Sequence, residues 1–503
     1  MRSQTKKTIL ALAITAGFGM SSSAFAGSDN SATITQTTNT ADSVQGQEAY
    51  VEQTGTLSVA VVNQEGDNQS TTVVQEGTSV EAYVNSTGLG NNTEVDQADE
   101  SHKTNVDVTG NDNQTYVAQF DTANITNIDV TGNNNSVDVA QDGSASEAVV
   151  ELIGDNNTAI INQDGDDNFG VFRVEGNDND GKVTQAGNNN TAGMVSLDIT
   201  PNVGNNNDVD VYQEGNGNLG AVKGVAGDDN NFVVSQIGDD NTGFVYGLTG
   251  SDNEIEIDQE GDDNTSYLAF TQGDDNYVEI VQIGMSNTIG DTLIAEIQGD
   301  DNDINVDQEG DNNGAEFQVF GDDNDVTLDQ EGNTNFATFG AYGNNNDFDL
   351  RSDGDDGKVT ALATGDDNNI DISQEGDAND GYAEITGDDN DVDIEQDGNE
   401  NEALVTVVGM DNTDVEMTQD GDLNLIDLII TGDENTALIT QIGDGNWVGS
   451  EGDGAFAVTG DNNSLTIAQT GSDNLVMGSQ TGMDNTISVT QTGDFNTATV
   501  IQN

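Results

Sequence analysis

Residues 253–264 read NEIEIDQEGDDN. Asn253 opens the stretch, and Glu254, Glu256 and Asp258 alternate with Ile255, Ile257 and Gln259. Glu260-Gly261-Asp262-Asp263 then breaks the alternation, and Asn264 begins again. Strict alternation is the pattern of a half-buried strand, because successive side chains point to opposite faces. The break is turn chemistry: glycine reaches positive φ without strain, and Asp and Asn side chains bond their own backbone. The same sentence returns as NDINVDQEGDNN from Asn302, NDVTLDQEGNTN from Asn324, NNIDISQEGDAN from Asn368 and NDVDIEQDGNEN from Asn390.

Turn glycines fall every eleven residues at Gly154, Gly165, Gly176 and Gly187, and again from Gly299 to Gly409 without a slip. Alternate halves differ, so the unit is about 22 residues. One half ends in glutamine, as at Gln308, Gln330, Gln374, Gln396, Gln419 and Gln441. The other has a small first inward residue and usually no Gln: Ala315, Phe317 and Val319 in one copy, Ala337, Phe339 and Ala341 in another. Two strands joined by two tight turns make one rung of a flattened β-solenoid, an all-β fold in which each rung pairs with the rungs on either side. Roughly twenty such rungs predict a rod on the order of 100 Å long.

The inward Asn and Gln need partners, since an unpaired buried amide costs a few kcal/mol. Stacking supplies them: each amide bonds its counterpart one rung away, as in amyloid ladders. The residues expected to form these ladders are Asn253, Gln259, Asn302, Gln308, Asn324, Gln330, Asn368, Gln374, Asn390 and Gln396, with Gln469, Asn474, Gln480, Asn485, Gln491, Asn496 and Gln502 near the C-terminus. The turn Asn also caps its own turn.

The chain has 503 residues, nine Lys+Arg against 94 Asp+Glu, and a net charge of −85. Acidic composition with few aromatics is the mark of disorder, but disordered chains lack regular apolar alternation. Nucleic-acid binding needs clustered Lys and Arg, so it is not expected. There is no cysteine, hence no disulfide or thiol chemistry. Arg2, Lys6 and Lys7, an apolar run from Ile9 to Met20, and Ala24-Phe25-Ala26 read as a signal peptide, residues 1–26, cleaved after Ala26. No later segment approaches the ~20 apolar residues of a membrane span.

Four regions follow: the leader; residues 27–130, where repeats are loose and spacing wanders through Gln53, Gln64, Gln75 and Gln97; residues 131–455, regular and acidic; and residues 456–503, low in charge. Pro201 and Trp447 mark breaks. In the last region the acids are Asp461, Asp473, Asp484 and Asp494, all in turns, while Thr486, Ser488, Thr490 and Thr492 face outward. Open edges without charge or proline are templates for further pairing.

Residues 491–502 read Gln491-x-Gly493-x-x-Asn496-x-Ala498-x-x-x-Gln502. Gln480, Gly482, Asn485, Ile487 and Gln491 repeat the spacing, as do Gln469, Gly471, Asn474, Val476 and Gln480. This resembles the curlin repeat, the unit of the curli amyloid fibre of bacterial biofilms. The resemblance implies an exported, self-assembling β-solenoid working in adhesion and biofilm matrix. It also implies dependence on curli-type outer-membrane secretion and nucleation proteins.

The two outer faces are expected to differ. Gln-type strands carry acids such as Asp303, Asp307 and Glu309, or Asp391, Asp393 and Glu395. The others carry Phe244, Tyr246 and Leu248, Phe336 and Tyr342, Leu404 and Val408, and Leu425 and Ile429, read as a contiguous apolar face for lateral association. Asp-Asp turns offer hard oxygen ligands to Ca²⁺ but lack the Gly-Gly-x-Gly-x-Asp spacing of calcium-binding β-rolls, so no cofactor and only unspecific Ca²⁺ binding is expected. The alternative function is a Ca²⁺-dependent monomeric solenoid adhesin. His102, the single histidine, reads as a surface residue without a catalytic partner, and no enzyme activity is expected.

Overall fold

A computed structural model describes residues 22–26, 29–38, 46–194, 202–269, 272–290, 295–450 and 454–503. The expected leader lies outside these residues except for the backbone of Ser22–Ala26, a strand running parallel to Glu48–Gln53. Pro201 also lies outside them. The chain divides into two compact units, Met1–Ser251 and Asp252–Asn503.

The described residues form strands and turns with no helix. In each unit successive strands alternate between two parallel sheets, the architecture of a β-solenoid. In the second unit one sheet stacks Asp303–Glu309, Asp325–Glu331 and Asp347–Asp353, placing Ile304 beside Val326 and Val326 beside Phe348. The strands between them, Gly314–Glu316 and Phe336–Thr338, pair in the other sheet. The rung step is 22 residues, as from Gln308 to Gln330. One sheet carries the glutamines and is called the glutamine sheet below; the other is the opposite sheet.

Tight packing between rungs explains the turn sequence. Gly299 has φ +137°, and a Cβ there would lie 1.9 Å from the Gly321 carbonyl oxygen one rung on. Two residues later Asp301 sits at φ 58°, a left-handed conformation that Asp and Asn tolerate. Inside, small residues face large ones. A Cβ on Gly181 would come within 1.9 Å of the Phe172 ring, which fills the space that glycine leaves. Phe317 and Phe339 stack with ring centroids 5.7 Å apart in the second unit's core.

Irregular rungs spend their extra residues mainly on the opposite sheet. Gln185 and Gln213 are 28 residues apart yet bonded in register, and the excess falls in sequence between Thr191–Met194 and Asn202–Val203, both paired to Phe169–Glu175. Trp447–Gly449 and Phe456–Thr459 likewise both pair with Leu425–Thr431. Trp447 thus marks the start of an insertion. The glutamine strands on either side keep seven residues each, Thr436–Ile442 and Ser464–Thr470.

Two expectations are corrected here. The wandering spacing of the N-terminal stretch is not a wandering stack: Gln53, Gln75, Gln97, Gln119 and Gln141 pair rung to rung. Gln64 belongs to the opposite sheet, bonded by Gln36 at 2.6 Å. Several turns there lack Gly-Asp and use residues such as Leu57 and Ser79 at φ 60° and 61°, which hid the period. Leu248 is not on the outer face. Gly247, at φ +80°, inserts a residue and flips the alternation, so Leu248 is buried in the core.

Candidate functional site

The ladders form, with opposite polarity. Along one edge of the second unit, Asn324 Nδ2 donates to Asn302 Oδ1 at 2.9 Å, and Asn346, Asn368, Asn390 and Asn412 repeat the step at 2.9–3.0 Å. Asn253 accepts in the same way from Asn276 at 3.0 Å. The same Oδ1 also takes a backbone N–H, as from Asn324 to Asn302 at 3.1 Å, and the Asn346 Nδ2 donates to the Gly365 carbonyl at 3.0 Å. One amide therefore closes a turn and joins rungs, with its oxygen and its N–H groups all used.

The glutamine amides point the other way. Gln259 donates to Gln282 at 2.7 Å, Gln308 to Gln330 and Gln374 to Gln396 at 2.8 Å, and Gln469 to Gln491 at 2.9 Å. Ser352 interrupts this ladder between Gln330 and Gln374. Its Oγ bonds Asn335 Oδ1 at 3.3 Å, and Gly357 stands where the repeat has Asn, because a Cβ there would meet that Oγ at 2.2 Å.

The C-terminal rungs depart from the expected pattern. Gln480 and Gln502 are register partners, but their amides do not bond each other. Gln502 Nε2 reaches Asn485 Oδ1 at 3.3 Å, while both amide atoms of buried Gln480 lack a partner among the described residues. Beneath Gln480 the stack offers Val458, so its ladder has no rung to bond on that side. Asn474 and Asn496 do bond, at 2.8 Å. In the last strand, Thr497–Gln502, the inward row Asn496, Ala498, Val500 and Gln502 is only half-buried, although its equivalents inside the stack are covered. In the first unit, Gln36 and Gln53 keep buried Oε1 atoms without a partner among the described residues.

His102 corrects a further expectation. It is fully buried in the slot that Asn124 fills one rung on. Its Nδ1 accepts the Asn124 backbone N–H at 3.2 Å, which leaves Nε2 to donate to the Ala98 carbonyl. Burial holds its pKa below the ordinary histidine value. The imidazole is a ladder element, and the residue type gave no sign of it because only its spacing from Asn124 marks the slot.

On the glutamine sheet the outer carboxylates stack in columns. Asp303, Asp325 and Asp347 form one, and Asp349, Asp371, Asp393 and Glu416 another. Burial, then the neighbouring Asp371, Glu416, Glu395 and Asp391, pushes Asp393 up to about 6. Asp371, Asp347 and Asp325 are raised for the same reasons. The opposite sheet is less apolar than expected. Phe336 is exposed, but the column above it runs Lys358, Asp380 and Glu402 before Leu425, so the apolar face is not contiguous.

A family model described as the curlin associated repeat matches residues 132–169, 204–242, 250–284, 299–332, 321–354, 365–398, 387–413, 414–443, 460–493 and 482–503. The chain belongs to the curlin-repeat family. The matched ranges contain the Asn and Gln of the second unit's ladders described above, while Gln53, Gln75, Gln97 and Gln119 of the first unit lie outside them. No curated protein matches the chain. Curlin repeats and a solenoid fold are structural rather than enzymatic, and they fit a curli-like fibre subunit. No helix among the described residues is long and apolar enough to cross a membrane.

Proposed function

We propose that the chain is a secreted structural and adhesive protein, a curli-like fibre component of the biofilm matrix that adds to copies of itself through its terminal rungs. A curli-type outer-membrane secretion and nucleation system would export and seed it. The observation that carries this reading is the run of curlin repeats, whose Asn and Gln ladders can be continued by any further rung that offers the same amides. The strand Thr497–Gln502 has a half-buried inward row and carries Thr, Ala, Val and Ile rather than charge, so no charge blocks it from pairing with another strand. Strands of one copy that pair in register with those of the next make a heterologous contact, and such contacts propagate as filaments rather than closing.

The test is electron microscopy with thioflavin fluorescence on purified residues 27–503, with and without Ca²⁺, beside a Ser488→Lys/Thr490→Lys variant. Long fibres that seed their own growth, and slower elongation of the variant, support the reading. Discrete particles of constant size, or fibre growth indifferent to the two lysines, sink it. A coil-to-sheet transition in circular dichroism on adding Ca²⁺ would instead favour a Ca²⁺-dependent monomeric adhesin.

A further inference from the structure

In the first unit the opposite sheet bears two outward columns side by side. One runs Val61, Tyr83, Asn105, Asn127 and Val149. The other runs Asn63, Asn85, Asp107, Asp129 and Glu151. Between them lies a shallow depression of about 290 Å³, lined by residues including Tyr83, Asn85, Asn105, Asp107, Asn127 and Asp129. Asn105 Nδ2 donates to Asn127 Oδ1 at 2.8 Å, and Asn63 Nδ2 to Asn85 Oδ1 at 2.8 Å. Each pair therefore presents a fixed amide with spare capacity: among the described residues, Asn127 Nδ2 and Asn85 Nδ2 make no bond. At the far end Arg173 approaches Glu151 at 3.7 Å, which leaves Asp107 and Asp129 as the acceptors in the depression.

The fold does not call for these residues. Asn is a poor strand former, and on the outer face it closes no turn. The same sheet in the second unit has Tyr382, Leu404 and Asp427 in one column and Glu384, Thr406 and Ile429 in the next, with no amide ladder. An aromatic ring beside fixed amides and carboxylates matches one ligand chemistry. A sugar ring offers an apolar C–H face to stack on and hydroxyls that donate to carboxylates and both donate to and accept from amides. With a net charge of −85 the chain repels anionic polymers. A polycation would bind any part of so acidic a surface and would need neither Tyr83 nor the amides.

We propose that this groove binds a neutral, hydroxyl-rich polysaccharide chain laid along the stack, with Tyr83 under a sugar face and Asn105, Asn127, Asp107 and Asp129 bonding its hydroxyls. Successive rungs repeat the contacts, so affinity grows with chain length. The site is independent of end-to-end assembly.

Purified residues 27–503 would be run by affinity electrophoresis through hydroxyethylcellulose and titrated calorimetrically with cellohexaose in 0.15 M salt. The polymer is expected to retard the protein. Tyr83→Ala and Asn105→Ala/Asn127→Ala should each weaken binding about tenfold or more, a loss of ~1.4 kcal/mol. Tyr83→Phe should retain binding, and Tyr382→Ala in the second unit should bind as the parent does, with circular dichroism unchanged throughout. The proposal is overturned by the absence of both retardation and heat. It is equally overturned if correctly folded Tyr83→Ala and Asn105→Ala/Asn127→Ala bind normally, or if only the cationic polymer chitosan is bound.

Discussion

Asn324 shows how much one side chain carries. It is 1 % exposed, donates through its backbone and its amide to Asn302, and accepts from the backbone and amide of Asn346 at 3.1 and 3.0 Å. Asn324→Ala strands these partners in a dry interior, where each unsatisfied group costs about 1–3 kcal/mol. Chemical denaturation should show the second unit losing about 2–4 kcal/mol, whereas Asn→Ala at exposed Asn333 should cost under ~1 kcal/mol. His102 fills a comparable slot with a worse group at low pH. Its folded pKa is lowered, so the unfolded chain binds the proton first, and stability falls as pH drops through the ordinary histidine range. His102→Asn removes that penalty while restoring the amide used one rung on. It should raise the first unit's stability at pH 5 more than at pH 8, measured by hydrogen exchange of residues 98–124. The inward Asn and Gln of the regular repeats were legible from spacing, because a period of 2 within a period of 22 places them. His102 was not, since one histidine in a turn without glycine carries no periodic signal.

At the scale of a strand, shape complementarity decides what a rung accepts. Gly181 lies against the Phe172 ring, and Gly381 has Ile372 at 2.8 Å from where its Cβ would be. Gly181→Ala drives a methyl into an aromatic ring and should cost about 1–3 kcal/mol as overpacking. The pair Gly181→Ala/Phe172→Leu should recover most of that loss, which a double-mutant cycle in denaturant would reveal as a coupling of the same order. Strand faces were readable where the alternation was unbroken, as in Glu254–Glu260, and misread where a single inserted residue changed phase. Gly247 is the instance: counting from Phe244 and Tyr246 put Leu248 outside, and the φ of +80° that turns it inward is a property of the backbone that the letters do not display. The same limit applied at Gln480, whose expected bond to Gln502 depended on two terminal side chains choosing each other over Asn485.

Over the whole chain, electrostatics work against the fold at neutral pH. Lys182–Asp210 at 2.8 Å and Lys358–Asp380 at 3.4 Å relieve single positions, but nine basic residues cannot offset 94 acids. Among the described residues the carboxylates whose pKa is displaced are raised, including Asp129, Asp208, Asp307, Asp347, Asp371 and Asp393, first by burial and then, at these six, by neighbouring acids. A raised folded pKa means that the folded chain takes up protons before the unfolded chain does. Stability contributed in this way is complete below the unfolded value of 3.8 and is lost as pH climbs through about 6 at Asp393. Acidification from pH 7.5 to 5 should therefore raise the melting temperature, by an amount on the order of a few degrees because the groups are half-exposed and screened. This is the reverse of ordinary acid denaturation, in which native carboxylates are paired and must be forced to protonate. Salt should mimic the effect at pH 7.5 and add less at pH 5, since at ~0.5 M the Debye length falls near the spacing of the columns. Asp393→Asn should raise the melting temperature at pH 7.5 and flatten its pH slope, having removed the most displaced charge from the column. A melting temperature that falls steadily from pH 7.5 to 5, as scanning calorimetry would record, would mean that the stacked carboxylates are relieved by bound cations rather than by protons.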